Sequence, residues 1–411
     1  MEKTGSNGQP ARTQIDEDII EAAKELRHEL HRHAELSCRE TETKRILIRF
    51  LTEHTKLEIV DRGRWFYAVY RSPNAEKRRI AFRADMDALP IDEGCSLPYS
   101  SAVRGVSHKC GHDGHSAGLA AFAVETDRSG SANDVYFLFQ FGEETGVGAA
   151  ECCALIDEEH IDEIYGYHNI PGFPLGSVAV HSGVAACAST GLVLAFTGKN
   201  SHASQPENGV NPAFALAKLI AEVPLLVRIA AADTERPDRL AEDIAPGAAM
   251  STDGIVMCTV VGAHVGSRED GGEDAFGTSA GHAKLMLTVR AESEARLERL
   301  NGLLIARARE LSEKAGLAFR FEYREPFPET RNDAACAEKV RAAAAALGVP
   351  IAEWNEPFRS SEDFGMYLKK TRGALFYIGA GEDHAPLHTA AYDFPDALIG
   401  VAAGMFGKLS E

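Results

Sequence analysis

Nine consecutive residues, Ser107-His108-Lys109-Cys110-Gly111-His112-Asp113-Gly114-His115, bring one thiol, three imidazoles and one carboxylate into a single short segment. A thiolate and a neutral imidazole two residues apart can hold the same borderline-soft cation, and the two glycines let the backbone turn tightly enough for both to face inward. The plain alternative is a polar loop with one buried cysteine. A second signal follows the apolar run Val135–Phe141, where Gly142-Glu143-Glu144-Thr145-Gly146 sets two adjacent carboxylates at the C-terminal edge of a strand. That edge is where open α/β sheets bind ligands. Adjacent residues point in different directions, so one glutamate can coordinate a metal while the other faces a water. His168 and His388 each end a strand-like segment, in Tyr165-Gly166-Tyr167-His168-Asn169 and His384-Ala385-Pro386-Leu387-His388-Thr389.

These groups need elements to hold them. Apolar spacing predicts helical structure within Ile15–Leu51, and the histidines of Arg27-His28-Glu29-Leu30-His31 read as structural. Short apolar runs at Phe66–Tyr70, Ile80–Ala84, Val135–Phe141, Glu163–His168 and Ser177–His181 read as strands, with helices at Ser116–Glu125 and Gly146–Asp157 between some of them. Such alternation predicts an α/β domain with a largely parallel sheet covered by helices on both faces. After Gly183 the order becomes strand Thr190–Thr197, helix Pro212–Arg228, strands Gly254–Val261 and Ala283–Ala291, helix Glu294–Ala315 and strand Ala318–Arg324. This βαββαβ order predicts a two-layer α+β domain, residues 186–325, inserted into a larger one made of 1–185 and 326–411. The larger domain resumes with helix Asp333–Leu347, strand Ala374–Gly379 and a last helix from Asp396. Thr234–Gly247 and Gly262–Gly281 read as exposed loops.

At 411 residues the chain is long enough for two domains, and 45% hydrophobic with 25% charged residues is the balance of a packed globular enzyme. A formal net charge of −18 excludes nucleic acid as an expected partner. The basic run Lys77-Arg78-Arg79 reads as a solvated loop. No apolar run approaches the roughly 20 residues of a membrane span, and Met1–Gln14 is polar without an apolar signal core, so the expected location is cytoplasmic. Eight cysteines in this length, two of them neighbours at Cys152-Cys153, fit reduced thiols and not a disulfide framework.

In order and spacing these motifs resemble the aminoacylase-like metallopeptidases with a two-metal centre. They are most similar to the amidohydrolase branch that holds N-acyl-amino-acid, hippurate and indole-acetyl-amino-acid hydrolases. The resemblance is carried by Arg27–His31, Arg83-Ala84-Asp85-Met86-Asp87-Ala88-Leu89-Pro90, Cys110–His115, Ser361-Glu362-Asp363-Phe364 and Leu387-His388 through Tyr392-Asp393-Phe394. It implies metal ligands at Cys110, His112, Glu144, His168 and His388, and Glu143 as the general base. It also implies Asp87 as a carboxylate that orients a ligand imidazole, while Asp85 receives no role. The expected cofactor is a divalent metal, manganese or zinc with cobalt or nickel also acceptable, one or two per subunit. The implied reaction is hydrolysis of a carbon–nitrogen bond by metal-activated water, on a small substrate bearing a carboxylate.

In the insert, Gly198–Ser204 followed by Gly209-Val210-Asn211-Pro212 is similar to the family's lid motif. The resemblance implies that His202 stabilises the developing oxyanion across a homodimer interface formed by the inserted domain. Arg290 matches a position that clamps a substrate carboxylate, with Asn211 beside the lid as a further substrate-binding residue. Two segments depart from the family. Phe141-Gly142 replaces the usual Pro-Ala before the glutamate pair, and Ala275-Phe276-Gly277-Thr278-Ser279-Ala280 replaces Asn-Val-Ile-Pro. Both belong to substrate recognition, so an alternative reading is hydrolytic deamination of an aromatic amino acid such as 5-nitroanthranilate, in which Phe141 and Phe276 would line the pocket, the plain alternative for either being a core residue. A third is an inactive metal-binding relative, against which the presence of Glu143 argues.

Overall fold

The computed structural model describes residues 15–232, 254–269, 274–354 and 356–411; the Met1–Gln14 tail and the Thr234–Gly247 loop lie outside them. In chain order the first segment holds α1 (Glu17–Arg32), α2 (Thr41–His54), β1 (Glu58–Asp61), β2 (Phe66–Tyr70), β3 (Arg79–Asp85), α3 (His112–Ser129) and β4 (Asp134–Gln140). It continues through α4 (Gly148–Cys152), α5 (Ala154–Glu159), β5 (Glu163–Pro171), β6 (Val178–Ala179) and β7 (Gly183–Ala186). Next come β8 (Ala188–Thr197), α6 (Ala213–Ala231), β9 (Val256–Gly266), β10 (His282–Ala291), α7 (Glu294–Ala315) and β11 (Ala318–Phe327). The chain closes with β12 (Thr330–Asn332), α8 (Ala334–Leu347), α9 (Gly365–Leu368), β13 (Arg372–Gly381) and α10 (Ala397–Leu409).

These elements form two compact units, the first from residues 1–185, 330–356 and 363–411 and the second from 186–329 and 357–362. In the first unit the sheet order is β1-β2-β4-β3-β5-β13-β6. β4, β3, β5 and β13 run parallel, and the flanking strands antiparallel. The pleat shows how both faces are covered. Phe82 meets Phe122 of α3 and Phe406 of α10, while its neighbour Arg83 points the other way to Gln140 and Asp363. Fully buried strands explain why these runs read as continuous apolar stretches.

In the second unit the sheet order is β11-β8-β10-β9, all antiparallel. Alternate residues Ala283, Leu285, Leu287, Val289 and Ala291 of β10 enter a core shared with Leu216, Leu219, Val223, Leu300 and Leu304 of α6 and α7. The other face carries His282, Lys284, Met286 and Arg290.

Several elements differ from expectation. The single helix over Gly146–Asp157 is two short ones, with Cys153 between them. The strand at Ser177–His181 shrinks to two residues, because β13 offers it only two partners. Gly262–Gly266 belongs to β9, not to a loop. Lys77 is not simply solvated: its ammonium sits 3.1 Å from the buried Asp134 carboxylate. Among the described residues no helix is long and apolar enough to cross a membrane.

Candidate metal centre

The parallel strands of the first unit aim their C-terminal ends at one place. β3 ends at Asp85 and leads to Asp87; β4 ends at Gln140 and leads to Glu143 and Glu144; β5 contributes His168 from within the strand, which runs on to Pro171. α3 begins there with His112, and Cys110 stands just before it. Gly111, between the two, has φ 97°, a conformation open to glycine at little cost. A Cβ on it would come within 2.4 Å of Asn169 Oδ1. Gly114, by contrast, is a helical residue and makes no turn; its bare Cα admits the ring of Phe394. His388 holds a left-handed backbone, φ 60°, and its N–H donates to Lys109 O at 2.8 Å.

Five donor residues converge. Cys110 Sγ lies 3.3 Å from His168 Nε2 and 3.3 Å from His388 Nε2. Glu144 Oε1 is 3.5 Å from His388 Nε2 and 3.8 Å from His112 Nε2. Among the described residues five triads have all their donor atoms within 4.8 Å of one another: Cys110–His112–His168, Cys110–Glu144–His388 and His112–Glu143–Glu144, which share the expected ligands, and beside them Asp85–His112–His115 and Glu143–Glu362–Asp363. A cation held at about 2.0–2.3 Å from thiolate, imidazole and carboxylate donors spaces them roughly 3.3–3.7 Å apart. The fit is supported by two buried atoms, His112 Nε2 and Glu144 Oε1, that make no hydrogen bond among the described residues.

The charge balance agrees. Burial opposes a charge on His112, but the carboxylates of Asp85, Asp87 and Glu144 outweigh it and push the imidazole up to about 10. Burial, reinforced by Glu144 and Glu143, drives the Cys110 thiol well above its usual range. Both groups thus hold protons that a divalent cation would displace. Burial holds His168 far below the ordinary imidazole range, in the neutral form that ligates.

Tautomers are set by neighbours. His112 Nδ1 bonds Asp87 Oδ1 at 3.1 Å, which leaves Nε2 as the coordinating nitrogen. His168 Nδ1 donates to Asn169 O at 2.7 Å with the same result. Asp87 Oδ2 also accepts from Glu144 N–H at 2.9 Å and Ser37 Oγ at 2.7 Å.

Asp85, given no role from the sequence, is wholly buried and bonds His115 Nδ1 and Arg83 Nη1, both at 2.6 Å. Burial raises its pKa, but His112, His115 and Arg83 prevail and hold it well below the carboxylate range. His115 also meets Asn169 Oδ1 through Nε2, so both its nitrogens are engaged, and with Asp85 and His112 it forms a further buried triad of donor atoms. The signal for it was present: His112 and His115 are i and i+3 on one helix, with rings 5.3 Å apart.

In the second unit, His202 is exposed and bonds Ser204 Oγ through Nδ1 at 2.7 Å. Its segment pairs with the Ala275–Ala280 stretch, through the His202–Thr278 bridge and Ala203 N–H to Gly277 O at 2.9 Å. Asn211 accepts Ala213 N–H at 2.9 Å at the start of α6. Arg290 Nη1 donates to Arg359 O at 3.1 Å and Ser361 Oγ at 2.8 Å. No carboxylate pairs with Arg290 among the described residues, and burial lowers its pKa. Phe276 is fully exposed and Phe141 fully buried beneath Arg64, 4.2 Å from ring centre to guanidinium. Phe141 is therefore a core residue and lines no pocket. A 540 Å³ cavity on the outer face of the second unit's sheet is lined by His282, Lys284 and Met286, and by none of the candidate residues.

The chain is 26% identical over 389 residues to an N-acetylcysteine deacetylase of Bacillus subtilis, covering 94% of this chain and 95% of that one. It is 28% identical over 386 residues to an N-acetyldiaminopimelate deacetylase of Shouchella clausii, covering 92% and 94%. The fold is similar to that of a dinuclear metal-binding peptidase of Bacillus subtilis, with TM-score 0.76 and 24% identity over 96% of this chain and 98% of that one. A model of peptidase family M20/M25/M40 matches residues 81–409, most of the chain, and the protein belongs to that family, as a hydrolase of carbon–nitrogen bonds.

Proposed function

We propose that the protein hydrolyses the amide bond of small N-acyl amino acids, or related amides bearing a carboxylate, with a divalent metal held by Cys110, His112, Glu144, His168 and His388. The observation that carries this reading is the packing of these donors around two buried, unbonded atoms, His112 Nε2 and Glu144 Oε1. The deacetylase relatives supply the substrate class. Manganese or zinc suits the mixed donor set, cobalt and nickel less specifically, and the sharing of Cys110 between two triads favours two cations per subunit over one. When bound, the metal supplies Lewis acidity toward water and the amide carbonyl.

The chain's own groups do the rest. Glu143, in the turn after β4 with Oε2 3.9 Å from His112 Nε2, accepts the proton of the attacking water and returns it to the leaving nitrogen. Asp87 fixes the His112 tautomer and, through Glu144 N–H, the orientation of the glutamate turn. Arg290, a guanidinium without a carboxylate partner among the described residues, is proposed to receive the substrate carboxylate, with Asn211 as a second contact. His202 is proposed to stabilise the oxyanion in trans within a homodimer formed through the second unit. A cytoplasmic location remains part of the proposal.

The test is release of free amine or ammonia by manganese-loaded and zinc-loaded protein against N-acyl amino acids and amino-substituted aromatic acids, with Glu143→Ala as control. Amino acid freed from acylated substrates and lost in the control is the expected result. Ammonia from an aromatic acid would replace this reading by the aromatic aminohydrolase. Metal uptake with no turnover of either class would mean an inactive relative.

A further inference from the structure

Glu143 and Glu144 sit in a single 3₁₀ turn, Glu143–Thr145, entered through Gly142 at φ 60° and left through Gly146 at φ 69°. Within the turn Gly146 N–H donates to Glu143 O at 2.8 Å, and Gly142 O accepts from Val147 N–H, Gly148 N–H and Thr145 Oγ1, each at 3.3 Å; these bonds fix the exit of the turn but leave the N–H groups of Gly142 and Glu144 to other partners. Those two amides are held from outside. Gly142 N–H donates to Glu40 Oε1 at 2.8 Å, and Glu144 N–H donates to Asp87 Oδ2 at 2.9 Å. One acceptor, Glu40, belongs to the short segment between α1 and α2, and the other, Asp87, follows β3 and is bonded from that segment. Glu40 is buried, 5% exposed, and the same Oε1 accepts Cys38 N–H at 2.9 Å. Ser37 Oγ donates at 2.7 Å to the very oxygen of Asp87 that receives Glu144 N–H.

Cys38 is itself left-handed, φ 66°, a conformation a non-glycine residue keeps only where its surroundings enforce it. Its sulfur lies 3.2 Å from where a Cβ on Gly142 would be, so the segment leaves no room for a side chain at the entry of the turn.

We propose that Ser37–Glu40 is a positioning clamp for the glutamate turn, with Glu40 and Ser37 aiming Glu143 and Glu144 through the amides on either side of Glu143. The importance for catalysis rests on the roles proposed above for those two glutamates; the clamp itself does not. Glu40 and Ser37 touch neither substrate nor metal in this scheme. They act by restricting where the Glu143 carboxylate sits, and misplacement of a reacting group by an ångström costs about 100-fold in rate.

The experiment uses Glu40→Ala, Glu40→Gln and Ser37→Ala in the full chain. Readouts are hydrogen exchange of the peptide covering residues 141–147, metal content, and kcat and KM on an N-acyl amino acid. For Glu40→Ala the expected result is exchange at Gly142 faster by about tenfold and kcat lower by about 100-fold, with KM and metal content unchanged. Glu40→Gln keeps an acceptor oxygen at the same place and should restore protection and most of kcat. Unchanged exchange at Gly142 in Glu40→Ala would overturn the proposal, as would a loss of kcat that Glu40→Gln does not restore. If Glu40→Ala fails to fold, Ser37→Ala decides by the same measure at Glu144 N–H. Should the wild type hydrolyse no amide, the functional reading fails, while the exchange data still settle the clamp.

Discussion

Gly111→Ala separates two costs that the structure predicts to add. Gly111 has φ 97°, and a Cβ there would approach Asn169 Oδ1 to 2.4 Å, Asn169 Cγ to 3.0 Å and Phe394 Cδ2 to 3.0 Å. Asn169 cannot retreat easily, because Oδ1 engages His115 Nε2 and Nδ2 donates to Tyr392 OH at 2.6 Å. A left-handed alanine costs about 1–2 kcal/mol, and overpacking a filled site adds about 1–3 kcal/mol. Gly63 is the control: φ is 84° but nothing lies within 4 Å of where its Cβ would stand, so Gly63→Ala should incur only the first cost. Urea unfolding of the metal-free variants should therefore show Gly111→Ala less stable than Gly63→Ala by about 1–3 kcal/mol. Competition titration with zinc should show weaker binding for Gly111→Ala alone, since moving residue 111 changes the separation of Cys110 from His112. Equal destabilisation of the two variants with equal zinc affinity would refute the claim that Gly111 sets this spacing.

Cys110→Ser should weaken zinc binding more than manganese binding in parallel titrations, because a hydroxyl is a poor substitute for a thiolate toward the softer ion; equal affinities would remove Cys110 from the ligand set. Arg290→Ala should raise KM for a carboxylate-bearing amide by about 10–100-fold with kcat little changed, leave an amide without a carboxylate unaffected, and not be repaired by lysine. Glu163 is 1% exposed and receives Lys339 Nζ at 2.6 and 2.7 Å. Burial pushes its pKa up, but the bonds from Lys339 and Tyr165 and nearby cations prevail and hold it below the usual value. A depressed carboxylate stabilises above its unfolded pKa and loses that contribution as pH falls through the folded one. Glu163→Gln should thus cost about 1–2 kcal/mol at neutral pH, Lys339 being 42% exposed and able to stay hydrated, and the deficit should shrink in unfolding curves taken below pH of about 4.

What the sequence revealed depended on the range of the interaction involved. α7 was legible to the residue, since Ser293 caps it through Arg296 N–H and Gly316 ends it at φ 68°. β10 was legible as a strand over Ala283–Ala291, and the candidate donors stood out by residue type. The supporting groups did not. Asp85, His115 and Asn169 become partners only because β3 lies next to β5 and α3 starts beside both. Likewise Asp363 meets Arg83 and Gln140 across 280 and 223 residues of sequence, a distance no local pattern encodes. The sequence leaves Phe141 open between pocket and core, because an apolar side chain at a strand end looks the same whether it faces a ligand or the core; its complete burial decides for the core.

The separation of Cys110 from His388, 278 residues apart in the chain, bears on the order of events during synthesis. At about 5–20 residues per second, ribosomal elongation places roughly 15–55 s between the two. For most of that interval the Cys110 loop and the glutamate turn exist without β13, the neighbour of β5, and without His388, which groups with Cys110 and Glu144. With the ligand set proposed above, a nascent chain would offer only part of its donors, and a cation captured early would be held by fewer bonds than one bound after release. On that proposal the choice of metal would fall to the finished polypeptide and to the ions around it at that moment, and cells starved of one ion during expression should yield protein loaded with another.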